Sequence, residues 1–166
     1  MDRDLDRAIA AAAAEQRVSV NLLVNKCIRK YVEWDAPALE LGNVTIPALL
    51  LDALARDKDG DALERCGREV ARDYIRPAAT YFVGEFTVDS ALEVIRRGSL
   101  YAGAFSFNVG EGRDSRHRVI VVKQERGRLW SRFWVGVMEE TFKVLLGEET
   151  KIISTDSLCV VQLTTH

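Results

Sequence analysis

The sequence predicts an α+β protein in which a pair of helices precedes a part that mixes helices and strands. Apolar residues recur at helical spacing up to about residue 100, and the alternating or β-branched runs typical of strands begin only after it. Hydrophobic residues make up 48% of the chain and charged residues 29%, as in ordinary globular proteins. The expected order is two helices, a linker, three helices, and two β-hairpins separated by a long helix.

Two helices are predicted at the start of the chain. The first covers residues 4–17, where an alanine run supplies the residue of highest helix propensity. The second covers residues 20–34, with Ser19 as its N-cap and Asp35-Ala36-Pro37 as its end. Because about 40 residues is the lower limit for unaided folding, residues 1–35 are expected to dimerise or to pack on the rest of the chain.

The next segments predict two more helices with a loop between them. A connector over residues 36–46 leads into a helix over 47–56, which begins with a proline suited to the first turn. The charged run at 57–61 predicts a loop. A helix over 61–76 is expected to stop at Pro77, since proline lacks a backbone N–H and its ring clashes with the preceding turn.

Strand character takes over towards the second half. Residues 80–87 are apolar and predict an extended segment. Ser90 and Glu93 have the spacing of a capping box, which predicts a short helix that Gly98 ends. Two hairpins and a long helix then follow: strands at 104–109 and 117–123 around a turn at 110–115, a helix at 128–146 closed by Gly147, and strands at 150–154 and 158–163.

Composition and charge argue against several classes of function. The net charge of −2 does not suit a polycation that coats nucleic acid. No apolar run is long enough to cross a membrane, and no secretory signal is recognisable. The three cysteines lie far apart and there are two histidines, so we expect neither a disulfide framework nor a metal site. The cysteines are expected to be small buried residues, the chain cytoplasmic, and no cofactor is expected.

The sequence also contains no obvious catalytic set. It shows no Ser/His/Asp combination, no paired carboxylates in an apolar setting and no phosphate-binding loop. We therefore expect a protein that is not an enzyme. An enzyme acting on a hydrophobic small molecule remains a third interpretation.

The second predicted helix carries a resemblance to a known family. Residues 17–31, RVSVNLLVNKCIRKY, resemble the second half of a ribbon-helix-helix DNA-binding module, and the match extends over about residues 4–34. The resemblance implies that the two helices interlock with those of a second copy, and that a strand ahead of them enters the major groove. Arg17, Ser19 and Asn21 are then expected to contact DNA phosphate at the start of the second helix.

The chain departs from that family at its first residues. The strand should lie before residue 4, where the sequence reads Met-Asp-Arg-Asp, whereas base readout favours Arg, Lys, Asn, Gln or Thr. Residues 1–35 contain six basic and six acidic residues and so carry no net charge. Two alternatives stay open: an upstream strand is missing from this chain, or the helices serve only to dimerise it.

The C-terminal part carries a weaker resemblance, based on element order and on Phe133, Gly136, Leu146-Gly147 and Cys159. Over roughly residues 60–164 it is similar to 4-vinyl-reductase-type sensor domains, which are relatives of the haem-nitric-oxide-binding fold. The resemblance implies a site for small hydrophobic molecules. Many such domains have additional cysteines that could hold a metal, but only Cys159 is present here, and no histidine is placed as a haem ligand.

An aromatic face on the predicted helix 128–146 is the candidate ligand site. Aromatic residues and a methionine at helical spacing suit a malleable apolar pocket, although the same face is also explained as core against the sheet. Gly136 is expected to allow close packing of this helix. The predicted pocket residues are Trp130, Phe133, Trp134, Val137 and Met138 on the helix, with Phe105 and Phe107 from the first hairpin.

A basic stretch overlaps this region. Residues 111–132 hold seven basic and three acidic side chains, a net charge of +4. A solvated loop and strand face is the ordinary explanation, and a site for an anionic partner such as DNA phosphate is the alternative.

These observations predict three regions and one leading function. The regions are a ribbon-helix-helix-like pair over 1–35, a linker and helix over 36–60, and a sensor-like domain over 61–166. The leading hypothesis is a dimeric, ligand-responsive DNA-binding transcription regulator whose C-terminal domain binds a small apolar molecule. The alternative is a small-molecule-binding or scaffold protein whose N-terminal helices only dimerise.

Overall fold

The computed structural model describes residues 2–111 and 116–165, and it confirms the α+β class. The chain forms two compact units, Met1–Val44 and Thr45–His166, which we call unit 1 and unit 2. The region over 36–60 is therefore divided between the two units.

Unit 1 is helical. Helix α1 covers Arg3–Glu15, and Asp2 caps it by accepting a hydrogen bond from the backbone N–H of Asp4. Helix α2 covers Val20–Lys30 and begins at Ser19, as predicted. The Ser19 hydroxyl accepts a hydrogen bond from the N–H of Leu22 at 3.1 Å, which satisfies one of the unpaired donors of the first turn.

The prediction that Asp35-Ala36-Pro37 ends the second helix is wrong. A π-helical turn over Tyr31–Asp35 continues α2 into helix α3, Ala36–Glu40, with Pro37 in its first turn. The N–H of Ala36 donates to the carbonyl of Tyr31, five residues back. This wider turn places Pro37 in the first turn of α3. Proline is tolerated there because an N–H in the first turn would have no partner within the helix, and the ring meets no preceding turn of α-helix.

A second π-helical turn, in unit 2, shows that the predicted helix end at Pro77 is wrong as well. Helix α4 covers Ala48–Ala55 and helix α5 covers Gly60–Val70. A π-helical turn over Ala71–Ile75 then leads into helix α6, Arg76–Val83, so the chain neither stops its helix at Pro77 nor becomes extended over 80–87. Ala78 and Ala79 are fully buried on α6, which gives this helix tertiary support that local propensity does not reveal.

Helix α7 covers Val88–Ala102 and has a different cap from the predicted one. The capping box is formed by Thr87 and Ser90: the N–H of Ser90 donates to the Thr87 hydroxyl, and the N–H of Thr87 donates to the Ser90 hydroxyl at 2.8 Å. The predicted Ser90–Glu93 box is therefore shifted by one helical turn. The helix also passes Gly98 and ends at Gly103, whose φ of 68° is left-handed.

The predicted hairpins are confirmed and form one antiparallel sheet. Its strands are β1, Ser106–Glu111; β2, His117–Lys123; β3, Glu149–Ser154; and β4, Leu158–Thr164, in the order β1-β2-β4-β3. On the inner face Ile120 pairs with Val161 and Val122 with Cys159, all fully buried. The turn predicted over 110–115 lies largely outside the described residues.

The long helix predicted over 128–146 is confirmed as α8, Arg128–Met138, and a π-helical continuation over Glu139–Leu145. It packs on α5 through two glycines. A Cβ on Gly136 would overlap the carbonyl oxygen of Glu64, and a Cβ on Gly67 would overlap that of Phe133. The expectation that Gly136 permits close packing is confirmed.

Candidate functional site

The three residues predicted to contact phosphate lie together at the start of α2. Arg17, Ser19 and Asn21 are all exposed. Arg17 has a left-handed φ of 55°, which turns the chain sharply between α1 and α2. Because the first N–H groups of a helix point outwards and its dipole is positive there, this end of α2 has the chemistry to bind an anion.

Unit 1 leaves most of its apolar surface uncovered. Over residues 2–44, the buried hydrophobic residues are Ala13 and Ala38, both small. Ile28 is 57% exposed and Val32 63% exposed. The uncovered side chains of α1, α2 and the π-helical turn, which we call the apolar stripe, are Leu5, Val20, Leu22, Ile28, Tyr31 and Val32.

The predicted pocket residues of unit 2 separate into two groups. Val137 and Met138 are fully buried in the core. Trp130, Phe133 and Trp134 are partly exposed, with neighbouring ring centroids 5.5 and 5.6 Å apart. These three rings, with Phe105, form an aromatic cluster at the surface instead of a wall beneath the helix.

Phe105 connects this cluster to a groove. Its ring lies against Trp134 with centroids 4.3 Å apart. The groove has a volume of about 750 Å³ and is lined by Asp52, residues 103–106 and residues 123–126. Of the predicted pocket residues, Phe105 lines this groove, and Phe107 lies partly exposed on β1.

The sequence does not predict that the charged residues of the groove form part of a site. Lys123, Glu125 and Arg126 were included in the basic stretch, and Asp52 lies on a distant predicted helix. The one signal in the sequence was the predicted junction between a strand and a helix over residues 123–128. Loops at such junctions often carry binding residues. Nothing in the sequence pairs that junction with Asp52.

A buried glutamine holds the groove in shape. Gln124 is 3% exposed. Its side-chain nitrogen lies 2.9 to 3.0 Å from three acceptors that share its two N–H groups: the carbonyls of Gly127 and Asp156 and the hydroxyl of Ser131. Its side-chain oxygen accepts from the N–H of Arg126 at 2.5 Å. The loop after β2 is therefore held to α8 and to the turn between β3 and β4.

Arg126 attaches helix α4 to this loop. Its Nη1 donates to both carboxylate oxygens of Asp52, at 2.8 and 2.9 Å, and to the carbonyl of Ala48 at 3.3 Å. On α4, Leu49 is 74% exposed and Leu54 63% exposed, while Ala55 is buried. The ion pair is thus a main attachment of an otherwise exposed helix.

The basic stretch does not form one patch. Arg118 pairs with Asp89, Arg126 with Asp52, and Arg132 with Asp61 and Glu64. Arg113 lies outside the described residues. Since these partners lie on three different helices, the geometry favours local ion pairing over a continuous anion-binding surface.

Charged side chains also join α5 to the long helix. Arg68 contacts Glu64 and donates to Glu139 at 3.1 Å, and the hydrogen bond to Glu139 is the largest cause that raises the Arg68 pKa above its usual value. Arg72 pairs with the buried Glu140 at 3.4 Å. These pairs flank the glycine contact of the two helices and serve to hold it.

The cysteines fall into two environments. Burial raises the pKa of Cys159 to about 12, so this thiol is unreactive in the folded protein. The expectation that all three cysteines are buried is wrong, because Cys27 and Cys66 lie on exposed helix faces. Over residues 2–111 and 116–165, no group of three His, Cys, Asp or Glu side chains is placed to hold a metal ion.

No family model matches this chain, and a search of curated proteins finds no sequence similar to it. None of the helices in the described parts of the chain is both long and apolar enough to span a membrane. The uncovered stripe of unit 1 and the groove of unit 2 are therefore the candidate functional surfaces of the chain.

Proposed function

We propose that this chain is a dimeric DNA-binding transcription regulator whose C-terminal unit binds a small molecule with an apolar part. The observation that carries the proposal is the apolar stripe of unit 1, which is uncovered beside an exposed helix N-terminus. The likeness of residues 17–31 to a ribbon-helix-helix module supports the same function.

A second copy of the chain is the partner that fits the stripe. A unit of about 44 residues, in whose described part Ala13 and Ala38 are the buried hydrophobic residues, cannot by itself offset the entropy of ordering its helices. Packing two stripes together buries Leu22, Ile28 and Val32 from each copy, at about 25 cal/mol per Å² of apolar surface. A symmetric interface of this kind is the commonest form of homodimer.

DNA phosphate is the partner proposed for the start of α2. Arg17 supplies a permanent positive charge, and Ser19 and Asn21 border the unpaired N–H groups of the first turn. Such contacts position a protein on the duplex without reading its sequence. In the family that unit 1 resembles, an N-terminal ribbon performs base readout.

A second candidate function is a binding or scaffold protein whose unit 1 only dimerises. The specific observation in its favour is charge: residues 1–35 have no net charge, and Asp2, Asp4 and Asp6 are exposed at the start of α1. Aspartates at that position weaken attraction to phosphate.

Fluorescence anisotropy with DNA fragments from around the chain's own gene separates the two candidates. The chain and a version extended upstream in frame are titrated at several salt concentrations. A regulator binds one fragment tightly and loses affinity steeply with salt, because bound phosphates release counterions.

A matched pair of variants locates the contact. Arg17→Gln should weaken binding and reduce the salt slope by about 1, as expected for one lost phosphate contact. Arg7→Gln makes the same charge change on the exposed surface of α1 and should have no such effect. Absence of binding by both versions at low salt would reject the regulator and leave the scaffold candidate.

A further inference from the structure

The groove of unit 2 presents one unused charge of each sign. Of its four charged side chains, Arg126 and Asp52 are already paired. Lys123 and Glu125 are exposed and form no ion pair with another residue in the described parts of the chain. A molecule that enters the groove therefore meets a free ammonium and a free carboxylate.

These two charges can act on one ligand. Lys123 ends β2, and Glu125 follows two residues later in the bend that leads to α8. Both side chains are long and line the same groove. They can converge on neighbouring groups of opposite charge, such as the carboxylate and ammonium of a zwitterion.

The groove also offers an aromatic surface. One side of Phe105 lies against Trp134, and the partly exposed ring lines the groove. The Ser99 hydroxyl donates to the carbonyl of Phe105 at 3.3 Å, which fixes the backbone that carries the ring. A ligand ring can therefore stack against Phe105, in the way that aromatic pairs pack in protein cores.

Size and rigidity agree with a small ligand. A volume of about 750 Å³ lies within the usual range of small-molecule sites. The four hydrogen bonds of Gln124 fix the loop that carries Lys123 and Glu125. The loop backbone is therefore ordered before binding, and binding has to order mainly the side chains of Lys123 and Glu125.

We infer that this groove binds a small aromatic zwitterion, of the chemical class of the aromatic amino acids. Lys123 takes its carboxylate, Glu125 takes its ammonium, and Phe105 stacks with its ring. The inference rests on the proposed function, since it names the effector class of the same regulator. Asp52 borders the groove from α4, where it is held by Arg126.

Calorimetric titration of the full chain tests the inference with three probes. L-Phenylalanine carries both charges, phenethylamine lacks the carboxylate, and 3-phenylpropionate lacks the ammonium. L-Phenylalanine should bind at least tenfold more tightly than either analogue. Tryptophan fluorescence, which L-phenylalanine does not itself contribute, should change with the same affinity because Trp134 contacts Phe105.

Three variants assign each charge. Lys123→Gln should remove the preference for L-phenylalanine over phenethylamine, and Glu125→Gln the preference over 3-phenylpropionate. Lys151→Gln, at a second groove across the end of the sheet, is the matched control and should change neither preference. Both groove positions are exposed, so the folded state tolerates these changes.

The results that would overturn the inference are equally direct. They are no saturable binding of the three probes up to about 1 mM, equal affinity for all three, or preferences that survive both groove substitutions. The titration contains no DNA, so its outcome does not depend on whether the chain binds DNA. Binding of L-phenylalanine by a chain that does not bind DNA keeps the site and rejects the regulator, whereas DNA binding without any probe binding rejects only the site.

Discussion

Ion pairs along a single helix lower the pKa of Glu93. Its carboxylate accepts hydrogen bonds from Arg96 at 2.7 and 2.8 Å and from Arg97 at 2.7 Å, at the i,i+3 and i,i+4 spacings of α7. These hydrogen bonds lower the pKa of Glu93 to about 2, and the bonding from Arg96 contributes most. The guanidinium of Arg97 also lies 4.6 Å from the centre of the Phe82 ring, so the cluster joins α7 to α6.

Replacing Glu93 by glutamine should destabilise the protein in a pH-dependent way. The pKa shift alone corresponds to about 3 kcal/mol, but solvent screening of a partly exposed side chain reduces the expected loss at pH 7 to about 1 kcal/mol. Since the folded pKa is the lower one, the stabilisation is full above the ordinary pKa of 4.5 and is lost as the pH falls towards 2.

Urea unfolding of the wild type and Glu93→Gln at pH 7, 4 and 3 measures this dependence. The difference in unfolding free energy should shrink at each lower pH. Glu69→Gln, at an exposed position of α5, is the control. A deficit of equal size at all three pH values would show that Glu93 acts through packing and not through its charge.

At the scale of elements, the sequence predicts regular pieces better than their interruptions. The cap of α2 by Ser19 and the two hairpins follow from local patterns, and the structure confirms them. Pro37 and Pro77 predict helix ends that do not occur. In each case a π-helical turn precedes the proline and places it in the first turn of the next helix. A rule based on one residue cannot detect a five-residue adjustment that tertiary packing stabilises.

The candidate sites show the same contrast. Arg17, Ser19 and Asn21 are neighbours in the chain, so the sequence places them together. The groove brings Asp52 beside residues 123–126, and only the folding of α4 onto the loop after β2 creates that proximity. Residue patterns and spacings in the sequence do not predict contacts between distant parts of the chain.

The crossing of α5 and α8 gives a sharp prediction at this scale. Gly136→Ala adds one methyl group, which meets the backbone of Glu64 and cannot be relieved by a side-chain rotation. The free energy of unfolding should fall by about 3 kcal/mol, although alanine is the better helix former by about 1 kcal/mol. Thermal or urea unfolding measures the loss.

Gly60→Ala is the matched control for that substitution. A Cβ at Gly60 meets the flexible side chain of Arg132 at 3.3 Å, which can move aside. This variant should stay within about 0.5 kcal/mol of the wild type. If Gly136→Ala proves equally mild, the close approach of the two helices does not exist in solution.

At the scale of the whole molecule, the two units differ in how they are stabilised. Unit 2 has a sheet whose two central strands, β2 and β4, are fully buried on their inner face, and it has a glycine-mediated helix crossing. Unit 1 lacks a comparable core in its described residues and leaves its apolar stripe uncovered. The stability of unit 2 should therefore be independent of protein concentration, whereas that of unit 1 should depend on it.

Thermal unfolding followed by circular dichroism at several concentrations tests this difference. The unit 1 transition should gain about 1.4 kcal/mol of stability for each tenfold rise in concentration, as mass action requires for a dimer. Ile28→Ser should weaken the dimer by several kcal/mol, because the substitution removes two buried side chains from one interface. In an isolated unit 1 the same substitution would be nearly neutral, since Ile28 is 57% exposed.

Leu49→Ser supplies the comparison that makes the result specific. Leu49 is 74% exposed on α4 of unit 2, so its replacement removes a similar amount of apolar surface outside the stripe. It should leave the concentration dependence unchanged. If Ile28→Ser and Leu49→Ser behave alike, the stripe is not an interface between copies, and unit 1 is stabilised by the rest of the chain or by another partner.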